Sequence, residues 1–148
     1  MRDIHTLVVH WSATPKGWYA NRSPEEMKAE IDRWHRQRGF THGFGYHGLV
    51  HYDGRFLQGR PDEMTGAHAL PHNTGSLGIC VIAGPDQPFT AAQWKTLSWW
   101  LEQKQSAYAI ADDRILGHRD LPDTSTDCPG FDVRDWWGMR KRHAGTAL

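Results

Sequence analysis

Two short stretches carry side chains that could do chemistry together. Gly117-His118-Arg119-Asp120 precedes Thr126-Asp127-Cys128-Pro129-Gly130, so an imidazole and a thiol stand ten residues apart in a polar segment. An imidazole nitrogen and a thiolate sulfur suit zinc. A structural zinc site takes four protein ligands, and Cys128 has no cysteine nearby to join it. A catalytic site takes three and keeps one position for water. His10 offers the third donor: it ends the apolar run Thr6-Leu7-Val8-Val9, and a histidine at a strand end can project into a cleft. His10, His118 and Cys128 therefore read as a candidate catalytic metal centre, able to acidify water and polarise a carbonyl. The pattern is not the His-Glu-x-x-His helix of many metalloproteases. Spacing alone leaves a His10 satisfied by the backbone as an equal reading.

The composition narrows the setting. A chain of 148 residues reads as one domain, 1–148, large enough for a real core. With 39% hydrophobic and 23% charged residues it has an ordinary globular composition. The 17 basic and 17 acidic residues cancel, which argues against a broad nucleic-acid-binding face. Ten His and eight Trp are unusual counts; tryptophan can stack on sugars, but most of these indoles are expected in the core. Cys80 lies in an apolar run and Cys128 in a polar loop, so both are read as free thiols in a reducing compartment. The N-terminus lacks the apolar stretch of a signal peptide and no stretch is long enough to span a membrane. Cytoplasmic synthesis is the expectation.

The elements that must position these residues follow from periodicity and caps. Thr6–Val9 predicts a buried strand. Ser23-Pro24-Glu25-Glu26 is a capping box with proline at N1; Met27, Ile31 and Trp34 give the following helix an apolar face, and Gly39 a stop. His35, on that helix, reads as structural. Tyr46–His51 and Arg55–Gln58 predict a hairpin with a two-residue Asp53-Gly54 turn. Residues 59–74 read as a long loop that can wall a binding site. The 77–83 run, Leu-Gly-Ile-Cys-Val-Ile-Ala, predicts a central strand buried on both faces. Thr90 and Gln93 form a second capping box, stapled by Phe89 and Trp94, ahead of a helix whose stripe is Trp94, Leu97, Trp100 and Leu101. Ile115-Leu116 is a short strand running into His118. Asp132 caps a last short helix with Trp136 and Trp137, and the chain beyond Arg142 is expected to fray. The fold class is α/β of the mixed α+β kind: a central mixed sheet with helices packed on it and the metal site in a surface cleft at the strand ends.

The ordered motifs resemble the zinc-dependent N-acetylmuramoyl-L-alanine amidases, a family that spans phage amidase-type lysozymes and animal peptidoglycan recognition proteins. They are His10-Trp11-Ser12-Ala13-Thr14, Trp34-His35-Arg36-Gln37-Arg38-Gly39-Phe40, Gly45-Tyr46-His47, Gly59-Arg60-Pro61, Gly66-Ala67-His68-Ala69, Asn73, Ser76-Leu77-Gly78-Ile79, Gly117-His118-Arg119-Asp120 and Cys128-Pro129-Gly130-Phe131-Asp132. The resemblance implies one zinc ion held by His10, His118 and Cys128, and cleavage of the amide between N-acetylmuramic acid and L-alanine of the stem peptide. It implies a catalytic role for Tyr46, whose phenol can hydrogen-bond the reacting oxygens, and places His68 and Asn73 in the loop that walls the substrate groove.

Two departures stand out. The phage branch often has lysine where this chain has Thr126, a hydroxyl that donates a hydrogen bond without supplying charge. The bacterial recycling branch has a glutamate where this chain has Cys80, and a buried thiol makes a poor general base. Proton removal then falls to zinc, Tyr46 or a histidine near the cleft. Arg119 and Asp120 are expected to fix the ligand loop; no chemistry is assigned to His47 or His51. The resemblance, taken with the absence of a signal-peptide stretch and of a wall-binding module, fits a phage or prophage endolysin with peptidoglycan as its partner, reaching the cell wall after release through a separate membrane-permeabilising protein; a monomer is expected. Its alternatives are a non-catalytic peptidoglycan-binding module and a regulatory module that binds an RNA polymerase.

Overall fold

The computed structural model describes residues 2–146, and their side chains as far as Arg140. Five strands form one sheet: β1 Thr6–Trp11, β2 Gly48–Val50, β3 Phe56–Gln58, β4 Ser76–Val81 and β5 Ile115–Gly117, in the order β3-β2-β4-β1-β5. β2, β4, β1 and β5 run parallel, and β3 closes one edge antiparallel to β2. This is the mixed sheet the sequence predicts. Three helices pack on it: α1 Pro24–Gln37, α2 Ala91–Tyr108 and α3 Val133–Thr146.

Strand alternation decides which face carries which chemistry. Leu7 and Val9 of β1, Leu77, Ile79 and Val81 of β4 and Ile115 of β5 share one core with Leu97, Trp100 and Leu101 of α2 and Val133 and Trp137 of α3. The opposite face carries Val8 and His10 from β1 and Ser76, Gly78 and Cys80 from β4. There Leu49, Cys80 and Ile82 pack with Met27 and Ile31 of α1. β4 is fully buried, as expected of a central strand, but its two faces differ. One is built from large aliphatics and the other from small residues, which leaves room for the 59–75 segment to lie on the sheet.

Both capping boxes form, at Ser23 with Glu26 and at Thr90 with Gln93. α1 closes as expected at Gly39: Phe40 N–H donates to the His35 carbonyl and Gly39 N–H to that of Arg36. Its buried stripe is Met27, Ile31 and His35, with Trp34 only half-buried at the rim. His35 is held by its fold neighbours, its Nδ1 accepting from Gly45 N–H at 2.9 Å.

Three expectations shift. The first hairpin strand starts at Gly48, so Tyr46 precedes the strand instead of opening it. The turn is a three-residue one. His51 N–H donates to Arg55, Gly54 N–H donates back to His51, and Gly54 sits at φ +92°, the glycine position of a type I turn with a bulge. The last helix is not short: capped by Asp132, whose Oδ1 accepts from Asp135 N–H, it continues to Thr146 past the expected fraying point, and Ala147 and Leu148 lie outside the described residues. Of the tryptophans, Trp100 and Trp137 are fully buried; Trp11, Trp18, Trp34, Trp94 and Trp136 sit half-buried against the cores and Trp99 is exposed. Most of the indoles thus cover core edges, where an aromatic body can pack while its N–H stays wet. Both cysteines are free and buried. No helix among the described residues is long and apolar enough to cross a membrane.

Candidate metal centre and substrate cleft

His10 lies within β1, in register with Cys80, and points to the α1 face of the sheet. β5 ends at Gly117, and a short 3-10 turn, His118–Asp120, follows directly and places His118 beside it. The Cys128 loop is tied back to that turn by Arg119 N–H, which donates to the Cys128 carbonyl at 2.8 Å. Ligand atoms of His10, His118 and Cys128 all lie within 4.8 Å of one another, and His10 Nδ1 is 3.8 Å from Cys128 Sγ. In a tetrahedral zinc site the nitrogen and sulfur ligands stand roughly 3.5 Å apart, given the usual bond lengths. The donor set therefore fits such an ion with little movement and leaves a fourth position open.

The electrostatics of the donors are coherent. Burial, with His68, His118 and His35 nearby, pushes His10 well below the ordinary histidine range, and burial followed by His72 lowers His118. Both are neutral imidazoles with a lone pair to offer near neutral pH. Burial pushes the Cys128 thiol up to about 12, against the opposing hydrogen bond from Trp11 N–H at 3.3 Å. A cation among these three groups reverses that preference and favours the thiolate.

The remaining predicted residues converge on the same cleft of about 450 Å³, whose walls include His10, Trp11, His35, Arg38, Tyr46, His68, Asn73, His118, Thr126 and Cys128. The Tyr46 ring centroid is 5.1 Å from that of His10. Burial and then the neighbouring Cys80 and Cys128 sulfurs raise its phenol well above the ordinary tyrosine range, so it remains a donor at neutral pH. Thr126 is exposed at the cleft mouth, its Oγ1 accepting from Cys128 N–H at 3.2 Å. Asn73 Oδ1 accepts from the N–H groups of both His68 and Ala69, at 3.0 and 2.9 Å, and so shapes the loop. Asp120 fixes its own turn by accepting from Gly117 N–H at 2.8 Å. Cys80, beneath Tyr46, is fully buried and its thiol is raised by that burial, so it stays protonated and cannot serve as a base.

Comparison with known proteins adds the decisive observation. The family model described as N-acetylmuramoyl-L-alanine amidase matches residues 1–131. The chain belongs to the N-acetylmuramoyl-L-alanine amidase family. The amidase is 32% identical over 142 residues to the endolysin of Klebsiella phage KP32, covering 92% of this chain and 87% of that protein. It is 32% identical over 137 residues to the endolysin of Escherichia phage T7, covering 88% and 83%. Among solved structures it is similar to the N-acetylmuramoyl-L-alanine amidase LysC from Clostridium intestinale URNW. That match has a TM-score of 0.75 at 25% identity, covering 99% of this chain and 87% of that one.

One cleft residue of the amidase escaped sequence reasoning. Arg38, the C-cap of α1, is the only Lys, Arg, Asp or Glu among the described cleft walls. Its signal was its place in the Trp34–Phe40 motif, where a helix-terminal arginine looks like ordinary capping charge.

Proposed function

We propose that this amidase works as a phage endolysin, hydrolysing the amide between N-acetylmuramic acid and L-alanine of peptidoglycan at a zinc ion held by His10, His118 and Cys128. The observation that carries the reading is the convergence of two neutral imidazoles and one buried thiol within 4.8 Å, at the base of a cleft. When bound there, zinc supplies a Lewis acid for the amide carbonyl and acidifies water. The chain's own groups do the rest. The Tyr46 phenol, held protonated, donates to the oxygen that gains negative charge as the carbonyl becomes tetrahedral. The exposed Thr126 hydroxyl, at the cleft mouth, donates to the same oxygen. Asn73, its oxygen spent on the loop, has its amide N–H groups left to offer substrate, and His68 forms part of the same wall. The Arg38 guanidinium attracts the carboxylates of a stem peptide. All these groups come from one copy of the chain, so the site needs no residue from a second copy. Cys128 and Tyr46 together also support hydrolysis over passive binding of peptidoglycan, and no observation favours a regulatory binding surface. Synthesis in the cytoplasm followed by release to the wall completes the reading.

Replacing Cys128 with Ser tests the assignment. Metal binding by a titrated zinc indicator and lysis of sacculi should be lost together, with the melting temperature of the metal-free protein little changed. Wild-type activity in Cys128→Ser would show that the ligand set is misplaced.

A further inference from the structure

His10 uses both of its ring nitrogens. Nδ1 faces Cys128 Sγ at 3.8 Å, and Nε2 lies 2.9 Å from Nδ1 of His68. The row continues: His68 Nε2 is 3.1 Å from Ser76 Oγ, and Ser76 Oγ is 2.8 Å from the His72 carbonyl oxygen. A carbonyl only accepts, so Ser76 O–H donates to His72. Its oxygen then accepts from His68 Nε2–H. A neutral His68 with its proton on Nε2 has a lone pair on Nδ1, which accepts from His10 Nε2–H. His10 is left with a free lone pair on Nδ1, the nitrogen that faces Cys128. With neutral rings, one arrangement of protons satisfies every bond in the row, and it is the one that frees the ligating nitrogen.

We propose that His68 is a positioning residue for the metal centre: by accepting the His10 Nε2 proton it fixes the tautomer and ring orientation in which His10 Nδ1 ligates zinc. This rests on the zinc reading above and goes beyond it, because the wall of the cleft then acts through the ligand as well as on the substrate. Metal-bound histidines commonly donate their other N–H to a carboxylate, carbonyl or water. Among the described residues no carboxylate bonds to His10, and an imidazole backed by a serine takes that place. The surroundings are shaped to hold this ring. A Cβ at Gly78 would come within 2.5 Å of His68 Nδ1, and one at Gly66 within 2.6 Å of its Cδ2. Asn73 clamps the backbone on either side of the ring, at His68 N–H and Ala69 N–H. With both nitrogens engaged inside the protein, neither is free to hydrogen-bond substrate.

The test is zinc affinity, measured by competition with a chelator of known affinity on the full chain, for wild type, His68→Leu, His68→Asn and Cys128→Ser. His68→Leu removes the acceptor and should weaken zinc binding roughly 10- to 100-fold. His68→Asn places its Oδ1 close to the position of the lost Nδ1 and should recover most of that loss. Long-range proton–nitrogen NMR of the wild-type metal-free protein should find the His10 proton on Nε2. Unchanged zinc affinity in His68→Leu, with activity lost or kept, would overturn the proposal, as would a His10 proton on Nδ1. Should His68→Leu fail to fold, the wild-type spectrum still decides. Wild type binding zinc no better than Cys128→Ser would instead overturn the metal centre itself.

Discussion

Replacing Gly78 with alanine perturbs the centre from the sheet side, leaving every residue of the cleft wall unsubstituted. Gly78 is buried in β4 on the face beneath His68. An added Cβ would lie 2.5 Å from His68 Nδ1 and 2.6 Å from its Cγ, against ordinary contacts of roughly 3.5–4.0 Å between such atoms. The ring must therefore retreat by about 1 Å. Its hydrogen bonds to His10 and Ser76, now 2.9 and 3.1 Å, then pass the length at which such bonds hold. Overpacking of this size costs about 1–3 kcal/mol of stability. Loss of the His10 partner should weaken zinc binding roughly 10- to 100-fold. Chelator competition gives the second quantity and thermal melting of the metal-free protein the first. Gly78→Ala with wild-type zinc affinity would refute the reasoning, because a displaced His68 would then have no effect on His10.

Other expectations concern the reacting groups and the scaffold. Tyr46→Phe should lower kcat about 10²- to 10³-fold, the usual effect of removing one donor to a developing oxyanion, with KM nearly unchanged. Because the phenol is held above its ordinary range, this ratio should stay constant from about pH 6 to 9 in pH-rate profiles. Thr126→Val keeps the shape and removes the hydroxyl; a fall in kcat of roughly tenfold is expected, and none would exclude Thr126 from the reaction. Asp62 anchors the long loop to α2 by accepting from Lys104 Nζ and Tyr108 OH, both at 2.7 Å. Burial alone would raise its carboxyl, but those two bonds outweigh it and hold the group below the usual range. A depressed carboxylate contributes stability above its unfolded value of about 4 that is lost as pH falls through the folded value. Asp62→Asn should therefore cost about 1–3 kcal/mol at pH 7, and the gap to wild type should close on acidification in denaturant titrations.

The three proposed metal ligands, which the structure brings within 4.8 Å of one another, each stand at a local signal: His10 at the end of a β-branched run, His118 after a short strand and Cys128 in a Pro- and Gly-bounded loop. It is the family resemblance, not spacing, that joins them into one set. The caps of α1 and α2 were legible locally, since a capping box is written within four residues. What was hidden depends on contacts between distant segments. His68 meets His10 across 58 residues of chain, and it does so because β4 alternates large and small side chains, a pattern that a uniformly apolar run conceals. The turn at Asp53-Gly54 differs from the two-residue expectation because Asp-Gly suits two hairpin types, and the strand register chooses between them. Tyr46 lies just ahead of the strand that starts at Gly48, although the backbone still follows the sheet there. His47 N–H donates to the Gly78 carbonyl, the His47 and Tyr46 carbonyls accept from Gly59 and Arg60, and the Tyr46 ring packs against the cluster that holds Cys80. The half-exposed tryptophans show the same limit: aromatic content signals core, but a core edge looks identical to a core centre in one dimension.

The central claim, a zinc-dependent amidase, is tested most directly by digesting purified sacculi with the wild-type protein, after complete metal removal and after zinc is restored, and analysing the products by mass. New free L-alanine amino termini without new reducing sugar ends, lost on metal removal and recovered with zinc, are predicted. Digestion that persists in the metal-free protein, or products that carry new reducing ends, would contradict the account.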